Sequence, residues 1–370
     1  MKIGVPKEVK IREARVGLTP SCVDQLVRDG HEILVQKGLG IGIGFSDEVY
    51  VAAGAHVVET AEELYASSEM VVKVKEPIEQ EYGYLRPGLI LFCYFHLAAE
   101  PQLTKALVDS GAVAIAYETV VGARGGLPLL LPMSEIAGRL SIQMGAESLL
   151  QPYGGKGVLL GGVPGVLPAR VVVLGGGVAG TEAARMASGL GADVIILDNN
   201  LRRLKELEER HAPHIKTFFS TPNNVARAVK SADLLIGSVL IPGARAPKLV
   251  TREILKTMEP GSVFVDISID QGGTSETSRP TNHDNPTYVE EGVLHYCVTN
   301  MPGACARTSS EALTNATLRY TRSIAKLGWK KALLEDNGLR LGLNVCDGKV
   351  TNEAVAEALG YEFQAPDQVI

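Results

Sequence analysis

Gly175, Gly177, Gly180 and Asp198 are the residues whose types and spacing imply chemistry most directly. They lie in RVVVLGGGVAGTEAARMASGLGADVIILD, Arg170 to Asp198, which reads as strand, glycine turn, helix and a second strand ending in an acid. Gly175 permits a tight turn out of the first strand, and Gly177, lacking a Cβ, lets backbone approach a pyrophosphate. Gly180 lets the helix pack on the strand. The helix N-terminus offers unpaired N–H groups and partial positive charge to phosphates. Asp198 follows Gly180 by 18 residues, where a carboxylate accepts hydrogen bonds from an adenosine ribose. It would repel a 2′-phosphate, so the pattern favours NAD over NADP. The bland alternative is a glycine-rich turn without a ligand.

Four more residues fall where open α/β sheets carry chemistry, near the carboxyl ends of strands. Lys75 ends the strand in VVKVKEP and could clamp a substrate carboxylate or carbonyl oxygen; the alternative is a solvated lysine. His96 ends the apolar strand in LFCYFHLAA, either as a satisfied core histidine or as a general acid/base. Arg15, in REARVGLTP, could grip a carboxylate with two parallel hydrogen bonds, or lie on the surface. Asp270 leaves the strand of VFVDISIDQGG, either near a reacting centre or as a turn former. Asp266, within that strand, reads as a structural cap or pair. In VTNMPGACARTSS, Asn300 and Met301 could edge a cofactor, and Ser309 or Ser310 could cap the next helix. His211 and His214 lack further ligands at zinc spacing, so no metal is expected, and no GxSxG elbow marks a hydrolase.

The elements that must position these residues alternate from the start. Lys2–Val5, 31–36, 55–58, 70–75, 89–95 and 113–119 read as strands, with helices at 20–29, 61–67 and 99–109. A long amphipathic helix is expected over 133–150, then a glycine-rich turn or hairpin over 154–169. Further strands are expected at 171–175, 194–197, 215–220, 234–239, 263–269 and 296–298, with helices at 222–231 and 251–258. The tracts 309–327, 330–336 and 352–359 are helical and show no strands of their own, so they should return to the N-terminal domain. The expected fold is α/β, with two Rossmann-like domains joined by long helices across a cleft. The N-terminal domain, 1–130 plus 305–370, is discontinuous and completed by C-terminal helices; 131–304 forms the nucleotide domain.

The bulk numbers agree. The 370 residues suit two domains, and 45% apolar residues suffice for two cores. A net charge of −6 leaves no basic footprint for nucleic acid. No apolar run approaches the roughly 20 residues of a membrane span. KIGVPKEVK shows no apolar signal-peptide core, and five scattered cysteines without a CxxC read as reduced thiols, so a cytoplasmic location is expected.

With these residues assembled, the chain resembles the alanine dehydrogenase family, which includes the first domain of proton-translocating transhydrogenase. The resemblance runs over essentially the whole length. It rests on IGVPKE, EARVGLTP, MVVKVKEP, the HLAA strand end, PLLLPMSEIAGR, GGKGVLLGGVPGV, VDISIDQGG, ETSRPT and NMPGA. It implies reversible, NAD-dependent oxidative deamination of L-alanine to pyruvate, ammonium and NADH through an imine and a carbinolamine. It implies His96 and Asp270 as catalytic residues and Arg15 and Lys75 as substrate ligands. The cofactor contacts it implies, beside the glycines, are Ser134, Val178, Ala179, Asp198, Arg203, Ser220, Val239, Leu240, Ile267, Ser268, Ile269, Asp270, Arg279, Val298, Thr299, Asn300 and Met301. A homohexamer is the assembly it implies. Cys305-Ala306 and Thr274-Ser275 depart from the family pattern near the cofactor loops.

Overall fold

The computed structural model describes residues 1–239 and 245–370. The chain begins β1 (Lys2–Val5), α1 (Pro20–Arg28), β2 (Glu32–Gln36), α2 (Asp47–Ala52), β3 (His56–Val58), α3 (Ala61–Ser67) and β4 (Met70–Val72). It continues with β5 (Ile90–Cys93), α4 (Pro101–Ser110), β6 (Val113–Ala116) and α5 (Leu131–Ser148). Next come β7 (Arg170–Leu174), α6 (Val178–Gly189), β8 (Asp193–Asp198), α7 (Leu201–His211), β9 (Ile215–Phe219), α8 (Pro222–Lys230) and β10 (Leu234–Gly237). Then follow α9 (Arg252–Leu255), β11 (Val263–Asp266), β12 (Thr287–Glu290) and β13 (Val293–Tyr296). The last elements are α10 (Ala306–Leu327), α11 (Trp329–Glu335), α12 (Asn337–Arg340), β14 (Leu343–Cys346), β15 (Lys349–Val350) and α13 (Glu353–Leu359). Two compact units result: Met1–Met133 with Cys305–Ile370, and Ser134–Ala304.

The first unit is built on a sheet ordered β15-β14-β6-β5-β4-β1-β2-β3. β1 to β6 are mutually parallel; β4, β5 and β6, buried along their whole length, read as short apolar runs, while the edge strand β3 is only partly buried. β1 pairs with β2 on one side and β4 on the other, so the chain reverses its direction of winding there. The carboxyl ends at such a switch point leave a crevice for ligands.

Two expectations for this unit are corrected. The C-terminal tract does contribute strands: β14 pairs antiparallel with β6, and β15 with β14. Asn344 disguises β14 in the sequence. It is buried because its amide donates to Thr119 Oγ1 at 2.7 Å and to Gly342 O at 2.9 Å. Without β14 the ladder of β6 would end as an open edge. Secondly, neither Ser309 nor Ser310 caps α10, which starts at Ala306 with Cys305 at the cap position. Both serines are buried on the first turns; Ser310 Oγ donates to Ala306 O at 2.7 Å and accepts from Val16 N at 3.1 Å.

The second unit carries a sheet ordered β12-β13-β11-β10-β7-β8-β9, parallel except for β12. Its switch point lies between β7 and β10, both wholly buried at their apolar positions. The last strand of this unit is Val293–Tyr296 rather than 296–298, and it forms a hairpin with the edge strand β12. Glu291 and Gly292, both at positive φ (51° and 78°), supply the two-residue turn. Another turn joins Val163 to Val166 around Pro164-Gly165, within the glycine-rich stretch.

Candidate active site

In the first unit, neighbouring strands carry the candidate side chains at their carboxyl ends. The loop after β1 carries Glu8, Glu13 and Arg15; Lys73 and Lys75 follow β4; Tyr94 and His96 follow β5; Glu118 follows β6. With adjacent strands about 4.8 Å apart, the exits of β1, β4 and β5 span roughly 10 Å.

Arg15 is only 3% exposed, which rules out a surface arginine. Its Nε donates to Glu13 Oε1 at 2.7 Å, Nη2 donates to Glu13 Oε2, and Nη1 lies 3.2 Å from Met133 Sδ. Burial works against its charge, but the paired Glu13 carboxylate prevails and holds its pKa above the ordinary value. Glu13 therefore sets the plane of the guanidinium fork.

β4 stops at Val72, three residues before the predicted end. Beyond it, Glu8 takes over from the ladder: its Oε1 accepts from Val74 N at 2.7 Å and Lys75 N at 3.3 Å. Lys75 is half-buried, while Lys73, of the same strand tail, is 1% exposed. Lys73 Nζ donates to Glu81 Oε1 at 2.6 Å and lies 3.6 Å from Glu8 Oε2; Tyr65 donates to the same Glu81 oxygen at 2.9 Å. Burial raises the Glu8 pKa, against the pull of Lys73. The sequence reading missed Glu8 and Glu81. The available signal was Lys73 itself, since a lysine inside an apolar strand requires a carboxylate partner.

His96 is exposed, so the core reading fails. β5 ends at Cys93, and His96 adopts a left-handed backbone with φ 54° and ψ 37°. Its ring stacks on Tyr94 with centroids 6.2 Å apart, and the Tyr94 hydroxyl donates to Leu129 O at 2.5 Å.

In the second unit, Gly175 stands at φ 101°, and a Cβ there would lie 2.8 Å from Ser238 O. Gly177 caps α6, and a Cβ on it would meet nothing within 4 Å. On Gly180 a Cβ would lie 1.9 Å from Gly175 O, so only glycine lets α6 press on the turn. Val178 is exposed and Ala179 half-buried in the first turn of α6; Ala179 O would be 2.2 Å from a Cβ on Gly138 of α5. Ser134 is half-buried in the first turns of α5.

Asp198 closes the turn: Oδ2 accepts from Gly176 N at 2.7 Å and Oδ1 from Asn200 N at 2.8 Å. Arg203 Nε donates to Gly176 O at 2.6 Å and Nη2 to Thr181 Oγ1 at 2.8 Å. Ser220 N donates to Asp198 O at 3.0 Å. Val239 O accepts from Ser268 Oγ at 2.8 Å, and Leu240 lies outside the described residues.

β11 ends at Asp266, three residues before the predicted end, because the Asp266 carboxylate draws in the following loop. It accepts from Ser268 N at 3.1 Å, Thr274 N at 2.7 Å and Ser278 Oγ at 2.6 Å. Ile267, Ser268, Ile269 and Asp270 consequently form a short 3-10 turn, with Asp270 exposed. The Arg279 guanidinium lies 3.9 Å from the Tyr288 ring centroid. Val298 and Met301 are buried, Thr299 N donates to Thr281 O at 3.1 Å, and Asn300 stands at φ 56°.

Comparison with known proteins agrees over the whole chain. The family described as "Alanine dehydrogenase/PNT, N-terminal domain" matches residues 4–137, and "Alanine dehydrogenase/PNT, C-terminal domain" matches 141–353. A protein named alanine dehydrogenase from Methanococcus maripaludis is 57% identical over 371 residues, covering 100% of both chains. Its namesake from Halomonas elongata is 56% identical over 363 residues, covering 98% of each. A solved structure titled L-alanine dehydrogenase superposes with a TM-score of 0.94 at 52% identity, covering 97% of this chain and 99% of that one. A transhydrogenase from Sinorhizobium meliloti shares the fold, with a TM-score of 0.81 at 24% identity over 96% of this chain and 100% of that one. With two switch-point sheets, a glycine turn closed by an acid, and family matches spanning both halves, the chain belongs to the alanine dehydrogenase/PNT family.

Proposed function

We propose that this chain is an NAD-dependent L-alanine dehydrogenase, converting L-alanine reversibly to pyruvate and ammonium. The observation that carries this reading is the placement of Arg15, Lys75 and His96 at consecutive strand exits beside a switch point, in a chain so similar to proteins named alanine dehydrogenase. The glycine turn fits a dinucleotide. Open space stands where a Gly177 Cβ would be, at a helix N-terminus, and the Asp198 carboxylate lies half-buried beside it. When bound, the nicotinamide accepts the hydride from the substrate Cα.

Arg15 and Lys75 hold the substrate carboxylate, and Lys75 also polarises the oxygen of the carbinolamine and of pyruvate. His96 takes and returns the protons of the amine and the attacking water, for which its exposed ring at a fixed strand exit is suited. Asp270 orients that water and offsets the positive charge of the imine. Ser134, Val178, Ala179, Asp198, Arg203, Ser220, Val239, Ile267, Ser268, Ile269, Arg279, Val298, Thr299, Asn300 and Met301 are read as cofactor contacts, mostly through backbone. Among the described residues no helix is long and apolar enough to cross a membrane. The cytoplasm is the location read from the reduced cysteines, and a homohexamer is the assembly that the family resemblance supports.

The test is NADH formation from L-alanine by the purified protein. His96→Ala and Asp270→Ala should each lower kcat by about 10²–10⁴-fold, the usual contribution of one positioned proton-transfer group. No NADH from the wild type would defeat the proposal, and near-normal turnover in either variant would remove that residue from its role.

A further inference from the structure

We propose that Glu118 is a positioning residue for His96: its carboxylate, bonded to two successive backbone N–H groups, holds the strained turn that presents the imidazole. The proposal rests on the reading of His96 as the proton-moving group.

The need for such a residue follows from the ladder. β5 and β6 stay in register through Phe92–Ile115 and Cys93–Ala116. There β6 ends and the chain tightens into the 3-10 turn Tyr117–Thr119, so the next backbone acceptors of β6 are withdrawn. Phe95 is fully buried, and a buried N–H without an acceptor is costly. Glu118, carried on that same turn, replaces the lost acceptors. Its Oε1 accepts from Phe95 N at 3.0 Å and from His96 N at 2.6 Å, and Oε2 lies 3.3 Å from Phe95 N. Two consecutive N–H groups converging on one anionic oxygen form a backbone nest.

The residue held this way is in an unusual state. His96 has φ 54°, a left-handed backbone that only a few per cent of non-glycine residues adopt, histidine among the more tolerant of them. Such strain persists where surrounding bonds over-determine it. Here the carboxylate fixes the amide side of His96, while His96 O accepts from Ala99 N at 2.9 Å. Relaxation to an extended backbone would swing the imidazole off its direction of exit. The neighbouring exit repeats the device: Glu8, on the loop after β1, accepts from Val74 N and Lys75 N just beyond β4. A carboxylate from the adjacent strand's exit loop thus pins each of two functional residues immediately past its strand end.

The test is a double-mutant cycle read by steady-state kinetics with L-alanine and NAD. Glu118→Ala should lower kcat by about 10²-fold, the cost of misplacing a catalytic group by an ångström or so. KM for L-alanine should stay within about threefold, because Arg15 and Lys75 are untouched. Glu118→Gln retains the Oε1 acceptor and should recover turnover to within about tenfold of wild type. In a His96→Ala background, Glu118→Ala should change the residual rate by less than about twofold, since the residue acts through His96. The same factor lost in both backgrounds, a KM rising in step with the loss of kcat, or wild-type kcat in Glu118→Ala would overturn the proposal. If Glu118→Ala does not fold, Glu118→Asp, whose carboxylate is withdrawn by one methylene, must show the loss; wild-type kcat there would equally overturn it. Wild-type turnover in His96→Ala alone would instead defeat the reading of His96, a result separate from the Glu118 arms.

Discussion

Placing a methyl group on Gly177 and, separately, on Gly180 divides the glycine turn into a ligand-facing part and a packing part. Gly177 has φ −66° and ψ −166°, which alanine adopts without strain, and its added Cβ meets no protein atom within 4 Å. The fold should therefore lose only the difference between glycine and alanine at a helix cap, at most about 1 kcal/mol, or 2–4 °C in Tm. A pyrophosphate pressed against that backbone would meet the new methyl. An overpacking penalty of about 1–3 kcal/mol corresponds to roughly 5- to 150-fold weaker NAD binding. Gly180 differs because its Cβ would sit 1.9 Å from Gly175 O and 2.6 Å from Ser238 Oγ. Reaching a contact of 3.0 Å with the carbonyl requires α6 to retreat by about 1.1 Å (3.0 − 1.9), against backbone that cannot rotate away. Gly180→Ala should lower Tm by several degrees and weaken NAD as well. Thermal unfolding without cofactor and NAD titration by fluorescence separate the two. If Gly177→Ala binds NAD as tightly as wild type, no diphosphate approaches that backbone, and the dinucleotide reading of the turn fails.

Two further outcomes follow from single buried or half-buried groups. Asp198→Ala should reduce the ratio of kcat/KM with NAD to kcat/KM with NADP. Loss of its bonds to Gly176 N and Asn200 N weakens both cofactors alike, so an unchanged ratio would refute the ribose assignment. His295 is wholly buried, bonded to Val293 O and Thr277 Oγ1 at 2.9 Å each, and burial lowers its pKa from 6.5. The folded chain thus binds this proton less readily than the unfolded chain. The stability it contributes is present above pH 6.5 and falls with pH down to the depressed folded value. The limiting slope is about 1.4 kcal/mol per pH unit. Urea denaturation between about pH 7 and about pH 5 should show this loss in wild type and a flatter profile in His295→Gln; parallel profiles would exclude His295 as its source.

Much of the architecture was legible because its signals are local. The strand, turn, helix and strand from Arg170 to Asp198 lie within one contiguous stretch, and α3 occupies the predicted residues Ala61–Ser67. There, apolar periodicity, glycine placement and cap chemistry act over a few residues. Several errors were at strand ends. β4, β5, β6 and β11 all stop short of the apolar runs that suggested them, because side-chain carboxylates and 3-10 turns take over from the ladder. The strand Leu343–Cys346 gave no warning in its own four residues; its reason is β6, more than 200 residues earlier in the chain.

By itself, the order of residues determined two α/β sheets, a glycine turn closed by Asp198, and Lys75, His96 and Arg15 beside strand exits. Tertiary structure alone decided that Glu8 and Glu81 enclose Lys73 and that Glu118 holds His96 in a left-handed turn. The division has one physical cause. Periodicity and turn chemistry depend on neighbours along the chain, whereas a buried charge or an orphaned N–H is satisfied by whichever partner the fold brings within reach.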